Sequence, residues 1–261
     1  MIRKFRIRGA NRLPNEDKIR RVGLARAFSK MGYCSRSRAV ELIRGGRVQV
    51  NGAIERDPEF PVRLDRDRIA ADGKTISAEA NVYLMLNKPR GVITTASDEK
   101  GRKTVYASIG RQLPWVAPVG RLDKASEGLL LLTNDSEWAS RITAPETHLD
   151  KTYHVQIHAM ADAALIETLK KGVRCEDGEL LRVKRAEILR HGEKNSWLVI
   201  ILEEGKNRQI RRIFQALRVE VLRLVRVSIG PLTLGELPKG DYRPLTAKEK
   251  QALDMAMERG N

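Results

Sequence analysis

Cysteine is nearly absent. Cys34 and Cys175 are the only two in the chain, they stand far apart, and neither belongs to a CxxC pair. Two such residues build neither a disulfide framework nor a zinc site; both read as small, buried or half-buried side chains in a reducing cytoplasm. Long apolar runs are missing too. The runs present, such as Leu129-Leu130-Leu131-Leu132, are strand-sized and far short of the ~18–20 residues that span a bilayer. The N-terminus has no apolar signal-peptide core. Its arginines come with Glu16, Asp17 and little serine, which argues against an organelle transit peptide. Acid is scarce relative to base: 33 Asp and Glu stand against 49 Lys and Arg, for a formal net charge of +16. That balance calls for a polyanionic partner. With no membrane segment in view, nucleic acid is favoured over a lipid surface.

What is present suits one mid-sized enzyme domain and a small accessory domain within 261 residues. Residues 1–20 read as a basic flexible tail, with Arg3, Lys4, Arg6, Arg8 and Arg12 and no apolar period. Order begins near Val22. Leu24, Ala27, Phe28 and Met31 recur at helical spacing and Gly32 stops the run. Ser35 and Ser37 offer N-caps to a second helix that ends at Gly45-Gly46. A strand over 47–50 then meets Asn51-Gly52, a tight-turn pair. A mixed-charge linker follows over 65–73. Asp72-Gly73 reads as a turn; a phosphate loop ending Gly73-Lys74-Thr75 would need glycine where Arg68 stands. From Val82 onward, strands are expected over 82–86, 91–95, 129–133, 153–157, 183–188, 197–202 and 221–229, and helices over 162–171, 207–217 and 246–258. The expected fold is α+β: a small N-terminal αα-hairpin domain over 21–80, then a catalytic domain over 81–261 on a mixed, mainly antiparallel sheet with flanking helices.

Arg36, Arg38, Arg44 and Arg47 crowd one short stretch in which Glu41 is the only acid. A wet helix face would show this, but so would a phosphate-contacting one, and the clustering favours the latter. The run from Leu24-Ala25-Arg26-Ala27 through Gly46-Arg47-Val48-Gln49-Val50-Asn51-Gly52 resembles the S-four-like RNA-binding domain over 22–80.

The sharpest segment is Gly120-Arg121-Leu122-Asp123-Lys124-Ala125-Ser126-Glu127-Gly128, running into the four leucines and Thr133-Asn134-Asp135. An acid and an arginine sit on a loop that a buried strand anchors at once. Spacing leaves two roles open to Asp123: a held, ionised carboxylate fit to act as nucleophile or base, or the cap of a turn near Ser126. This segment is similar to the signature of the ribosomal RNA pseudouridine synthases of the small-subunit type, which carry an N-terminal S-four-like domain. Asn87-Lys88-Pro89-Arg90-Gly91, Lys151-Thr152-Tyr153-His154-Val155, Glu204-Gly205-Lys206-Asn207-Arg208-Gln209-Ile210-Arg211-Arg212 and Tyr242-Arg243-Pro244-Leu245 resemble further motifs of that family, in the same order.

The resemblance implies isomerisation of uridine to pseudouridine in ribosomal RNA. The N1–C1′ bond breaks, the uracil turns over, and C5 bonds to C1′, with no cofactor and no metal. It makes Asp123 the catalytic carboxylate, as nucleophile or base, and Arg211 its cationic partner. Tyr153 becomes the residue that stacks on the base, and Arg121 the residue that displaces the target nucleotide from its stack. Lys88 and Arg90 are expected to border the RNA groove, and Arg208 and Arg212 to contact phosphate. The partner is ribosomal RNA, free or in an assembling subunit; the enzyme is expected to be monomeric and cytoplasmic.

Two other readings compete. A non-catalytic RNA-binding or ribosome-assembly protein would share the basic surface but would not need Asp123. A metal-dependent nuclease would need Asp123, Glu127 and Asp135 to converge, although the first and last lie at opposite ends of an apolar strand. His148, His154, His158 and His191 form no metal-like cluster with acids or cysteines.

Overall fold

The computed structural model describes residues 21–95, 101–110 and 112–259; the basic tail expected over 1–20 lies outside them. The chain falls into two compact units. Among the described residues, one comprises Ser37–Ile76 with 21–27; the other comprises Phe28–Arg36 with those from Ser77 onward.

The N-terminal region starts with β1 (Val22–Gly23), α1 (Leu24–Lys30) and α2 (Arg36–Arg44). Ala39, Leu42 and Ile43 of α2 are buried at i, i+3 and i+4, the spacing that lays one helical stripe against a core. Its strands are β2 (Val48–Val50), β3 (Ala53–Ile54), β4 (Pro61–Val62), β5 (Ile69–Ala71) and β6 (Lys74–Thr75). Four of them form a sheet in the order β3-β2-β5-β6, and β1 pairs with β4. Asn51 and Gly52 have φ of 53° and 88°, and Asp72 and Gly73 have 49° and 76°. Both expected turns therefore use left-handed backbone that Asn, Asp and Gly tolerate best. The stretch expected to be a linker over 65–73 contains β5 of this sheet, a three-residue strand set between charged turn residues.

The second unit is built on β7 (Tyr83–Lys88), β8 (Ala117–Val119), β9 (Glu127–Thr133), α3 (Ser136–Thr143), β10 (Lys151–Ile157), α4 (Ala163–Lys171), β11 (Val173–Arg174), β12 (Leu180–Leu181), β13 (Arg185–His191), β14 (Ser196–Leu202), α5 (Gln209–Ala216), β15 (Val221–Ile229), β16 (Leu232–Thr233), β17 (Tyr242–Pro244) and α6 (Ala247–Arg259). The main sheet runs β13-β14-β10-β15-β9-β7-β17, with β8 added on β9 and β16 on β15. Its one parallel pairing is β15 with β9, so the sheet is mixed and mainly antiparallel, as expected.

The four-leucine strand shows no polar alternation because both of its faces are covered. Leu129 and Leu131 pack with Trp138 and Ile142 of α3 and Leu253 of α6, whereas Leu130 and Leu132 pack with Leu84, Leu86 and Leu122. A third core joins α4 and α5 to β10, β14 and β15. The strand expected over 91–95 is not formed; Ile93 makes only an isolated bridge to Thr104. The helix α3 was not expected. Asp135 caps it, accepting from the backbone N–H groups of Glu137 and Trp138. Among the described residues, no helix is long and apolar enough to cross a membrane.

Candidate active site

The segment from Gly120 to Ser126 links β8 to the buried strand β9, and its main chain is tied down at five successive carbonyls. Leu122 O accepts from Thr94 Oγ1 at 2.7 Å. Asp123 O accepts from Lys88 Nζ at 3.0 Å and Ser126 O from the same amine at 2.8 Å. Lys124 O accepts from the Gly91 N–H at 2.7 Å, and Ala125 O from Arg211 Nη2 at 3.0 Å. A loop held at five successive carbonyls has little freedom left, and the rigid strand beside it anchors its end. The Ser126 N–H closes the turn on the main-chain oxygen of Asp123 at 3.0 Å. The carboxylate is therefore not spent as a turn cap. It faces a cleft of about 590 Å³ lined by Arg121, Asp123, Lys151, Tyr153, Arg208 and Arg226, among others. That volume lies within the ~300–1,000 Å³ typical of small-molecule sites and has room for an extruded nucleotide.

The ion pair to Asp123 comes from Arg208, whose Nη1 stands 3.6 Å from Oδ2. Arg208 has a φ of 49°, a left-handed conformation that costs an arginine roughly 1–2 kcal/mol, and it lies at the N-terminus of α5. This corrects the expectation that Arg211 would pair with the aspartate while Arg208 met phosphate. Arg211, three residues on and within the helix, donates instead to the Ala125 carbonyl. Burial, foremost, and then Arg208 lower its pKa from the ordinary value, while Asp123 raises it from a distance.

Lys88 is a second correction. It is fully buried and cannot border an RNA groove. Its ammonium donates to the carbonyls of Pro89, Asp123 and Ser126, so three acceptors match its three N–H groups. Burial pushes its pKa down to about 8, against the opposing pull of Asp123 and Glu127. Between about pH 8 and the ordinary 10.5 the unfolded chain holds a proton that the folded chain has released, so stability from this group rises with pH, and the same linkage favours the closed loop over any opening that would solvate the amine. Urea midpoints measured across this window check it: the rise should be absent in Lys88→Met. That variant should also lose on the order of 3 kcal/mol of stability, since it strands buried carbonyls.

Arg212 donates to Glu179 at 2.8 Å and also to Asp177. Arg90 and Arg121 are exposed, and Arg90 Nη1 donates to the Leu222 carbonyl at 3.2 Å. Arg36, Arg38, Arg44 and Arg47 are all exposed. Arg38 pairs with Glu41 at 2.7 Å and Arg47 grips Asp72 through two bonds. Exposed pairs of this kind contribute little and exchange easily for phosphate.

The three acids required of a nuclease do not converge. Asp135 caps α3 and accepts from the Tyr83 hydroxyl at 2.8 Å. Glu127 is buried and held by Arg223 at 3.1 Å and by Lys239. Burial would raise its pKa, but the hydrogen bonds from those two cations outweigh that and keep it below the usual carboxylate value. Among the described residues, no group of three His, Cys, Asp or Glu is placed to hold a metal ion.

Two residues of the cleft went unread in the sequence. Lys151 shares a strand face with Tyr153, two positions on, and Arg226 shares one with the buried Leu224. A cation in register with buried positions was the available signal.

Comparison with known proteins agrees with this geometry. Residues 82–216 match the model of the RNA pseudouridylate synthase family, and residues 24–69 match the S4 domain. The chain is 38% identical over 240 residues to ribosomal large subunit pseudouridine synthase B of Bacillus subtilis (strain 168), covering 91% of this chain and 97% of that one. It is 36% identical over 237 residues to an uncharacterized RNA pseudouridine synthase of Aquifex aeolicus (strain VF5), covering 90% and 95%. A crystal structure of a pseudouridylate synthase superposes with a TM-score of 0.62 at 31% identity, covering 89% of this chain and 99% of its own. An aspartate on a tethered loop, a tyrosine and arginines around one cleft, and these matches lead to one conclusion: the chain belongs to the RNA pseudouridylate synthase family and carries an S4 domain.

Proposed function

We propose that the substrate of this pseudouridine synthase is ribosomal RNA, and that Asp123 is the carboxylate that acts on the ribose of a uridine extruded into the cleft. The observation that carries the reading is the Asp123 side chain. It is presented to a nucleotide-sized cleft by a loop fixed at five carbonyls, with Arg208 beside it. The target class is supported by the ribosomal name of the Bacillus subtilis relative and by the exposed arginines of the N-terminal region.

Each site residue then has a task. Tyr153, on the cleft wall, stacks on the uracil. Arg121, exposed at the rim, helps hold the nucleotide out of its stack, which offsets the few kcal/mol that unstacking costs. Arg208 aims the carboxylate, and Arg211 and Lys88 hold the loop. Arg36, Arg38, Arg44, Arg47 and Arg90 supply phosphate contacts. No cofactor is needed, because the reaction transfers no electrons and donates no group. The enzyme works as a cytoplasmic monomer.

Incubation with ribosomal RNA tritiated at uracil C5 tests the activity, since forming the C5–C1′ bond releases the label. Release should persist in EDTA and leave the RNA uncut. Mapping pseudouridines in the ribosomal RNA of cells lacking the protein tests the target. At least one position should revert to uridine, and an unchanged map would end the ribosomal reading.

A further inference from the structure

Arg226 is a charged side chain in the cleft that none of these tasks employs. It lies in β15, opposite Tyr153 on β10 and Gly128 on β9, and is only 6% exposed. Its Nε donates to the Leu129 carbonyl at 2.7 Å. Its Nη2, buried, has no hydrogen-bond partner among the described residues. Even so, the residue lines the cleft together with Asp123 and Tyr153.

Lys151 stands near it on the same wall, with its Nζ donating to the Glu203 carbonyl at 3.1 Å. Burial, and then the charge of Arg226, lower the Lys151 pKa from the ordinary value, against Asp150 and Glu203. The cleft floor is thus cationic. A buried, incompletely paired cation is costly. The cost falls when an anion or a strong acceptor arrives, and a charge that develops only during reaction is met most strongly in the transition state.

We propose that Arg226 touches the substrate base: its guanidinium, incompletely paired at Nη2, donates to a carbonyl oxygen of the extruded uracil and stabilises the negative charge that the base takes on when its bond to the ribose breaks. This rests on the proposed function. In that step the N1–C1′ bond breaks and its electron pair stays on the uracil. C1′ is satisfied either by a new bond to an Asp123 oxygen or by loss of the C2′ proton. The base turns, a uracil electron pair forms the C5–C1′ bond, the link to Asp123 opens or the C2′ proton returns, and the C5 proton leaves while N1 takes one up. No electrons are gained or lost overall. The charged intermediate is the freed base, and it lies where Arg226 is. A phosphate remains on the RNA chain at the mouth, where Arg121 and Arg208 are exposed; the strand-borne Arg226 meets what penetrates deepest.

The test compares wild type with Arg226→Met in single turnover at saturating RNA, using the ribosomal fragment that wild type modifies. The variant should slow consumption of the target uridine by ~10²–10³-fold, the usual effect of removing one donor to a developing anion, with little change in RNA Kd. The distinguishing readout is the same RNA carrying 5-fluorouridine at the target. Fluorine stabilises the uracil anion, so the gap between wild type and variant in glycosidic cleavage should shrink. Arg226→Lys keeps a cation and serves if the methionine variant does not fold; it should lose less, and its gap should shrink likewise. An equal deficit with both bases would mean a structural role and overturn the proposal. So would a weakened Kd with a shallower salt dependence, which marks a phosphate contact. If wild type itself forms no pseudouridine, the proposed function falls and this inference with it. If wild type is active and both variants match it, only this inference falls.

Discussion

Asp123→Asn should abolish pseudouridine formation while leaving RNA binding intact. The substitution keeps the side chain's size and changes only its charge and basicity. The loop does not depend on that charge: its fixed points are main-chain carbonyls held by Thr94, Lys88, Gly91 and Arg211. The carboxylate's ion-pair partner is the exposed Arg208 at 3.6 Å, so removing the charge costs the fold little. An amide, however, can neither attack C1′ as an anion nor accept a proton from the sugar. Losing the group that makes or breaks the covalent bond typically lowers kcat by ~10⁴–10⁶-fold. Tritium release from C5-labelled RNA should therefore drop to background, with Kd and its salt dependence matching wild type. A variant that still released label at even a hundredth of the normal rate would remove Asp123 from the chemistry. An activity that needed no carboxylate there would return the chain to the non-catalytic RNA-binding reading.

How far the sequence could be read follows from where each signal lives. Strands such as Val221–Ile229 were legible in full because a run rich in Val, Leu and Ile suits a pleated, half-buried surface. The Asp123 loop was legible because residue type and order survive translation into space: an acid followed by a buried strand must sit at that strand's end. Partnerships were harder. Arg208 and Arg211 share a short basic stretch, and only the left-handed backbone at Arg208 decides which of them reaches the aspartate. Lys88 looked like a surface lysine because nothing in a linear reading shows three carbonyls converging on its amine. Glu127 looked available as a ligand until Arg223 and Lys239, about a hundred positions away, were seen to neutralise it. The helix over Ser136–Thr143 had a signal that went unused, since Asp135 can cap and Trp138 and Ile142 lie four apart. Charge and aromatic placement are three-dimensional properties, whereas burial and turn chemistry are written locally.

The other large effect is expected at a residue with no side chain. Gly128 has a φ of +98°, and a Cβ there would lie 2.2 Å from Arg226 O and 2.8 Å from Arg226 N. Both atoms belong to the backbone of β15, so no rotamer change can make room. The parallel pairing of β9 with β15 is built on this approach, with Arg226 opposite Gly128 and Val225 opposite Glu127. The same register sets Arg226 against Tyr153 on β10, so the two halves of the cleft are joined through this contact. Gly128→Ala must push β15 away from the strand that carries the Asp123 loop. A loss of roughly 4–5 kcal/mol is expected, the range that backbone clashes in a core reach, and any folded remainder should turn over poorly. Gly240→Ala separates the clash from the backbone strain. Gly240 has a φ of +92°, and a methyl group added to it would meet nothing within 4 Å, so the substitution should cost only the ~1–2 kcal/mol of a left-handed alanine. Urea midpoints of the two variants measure the difference. If they coincide, the close approach of β9 and β15 contributes nothing, and the coupling of the aspartate loop to the cleft floor must come from elsewhere in the sheet.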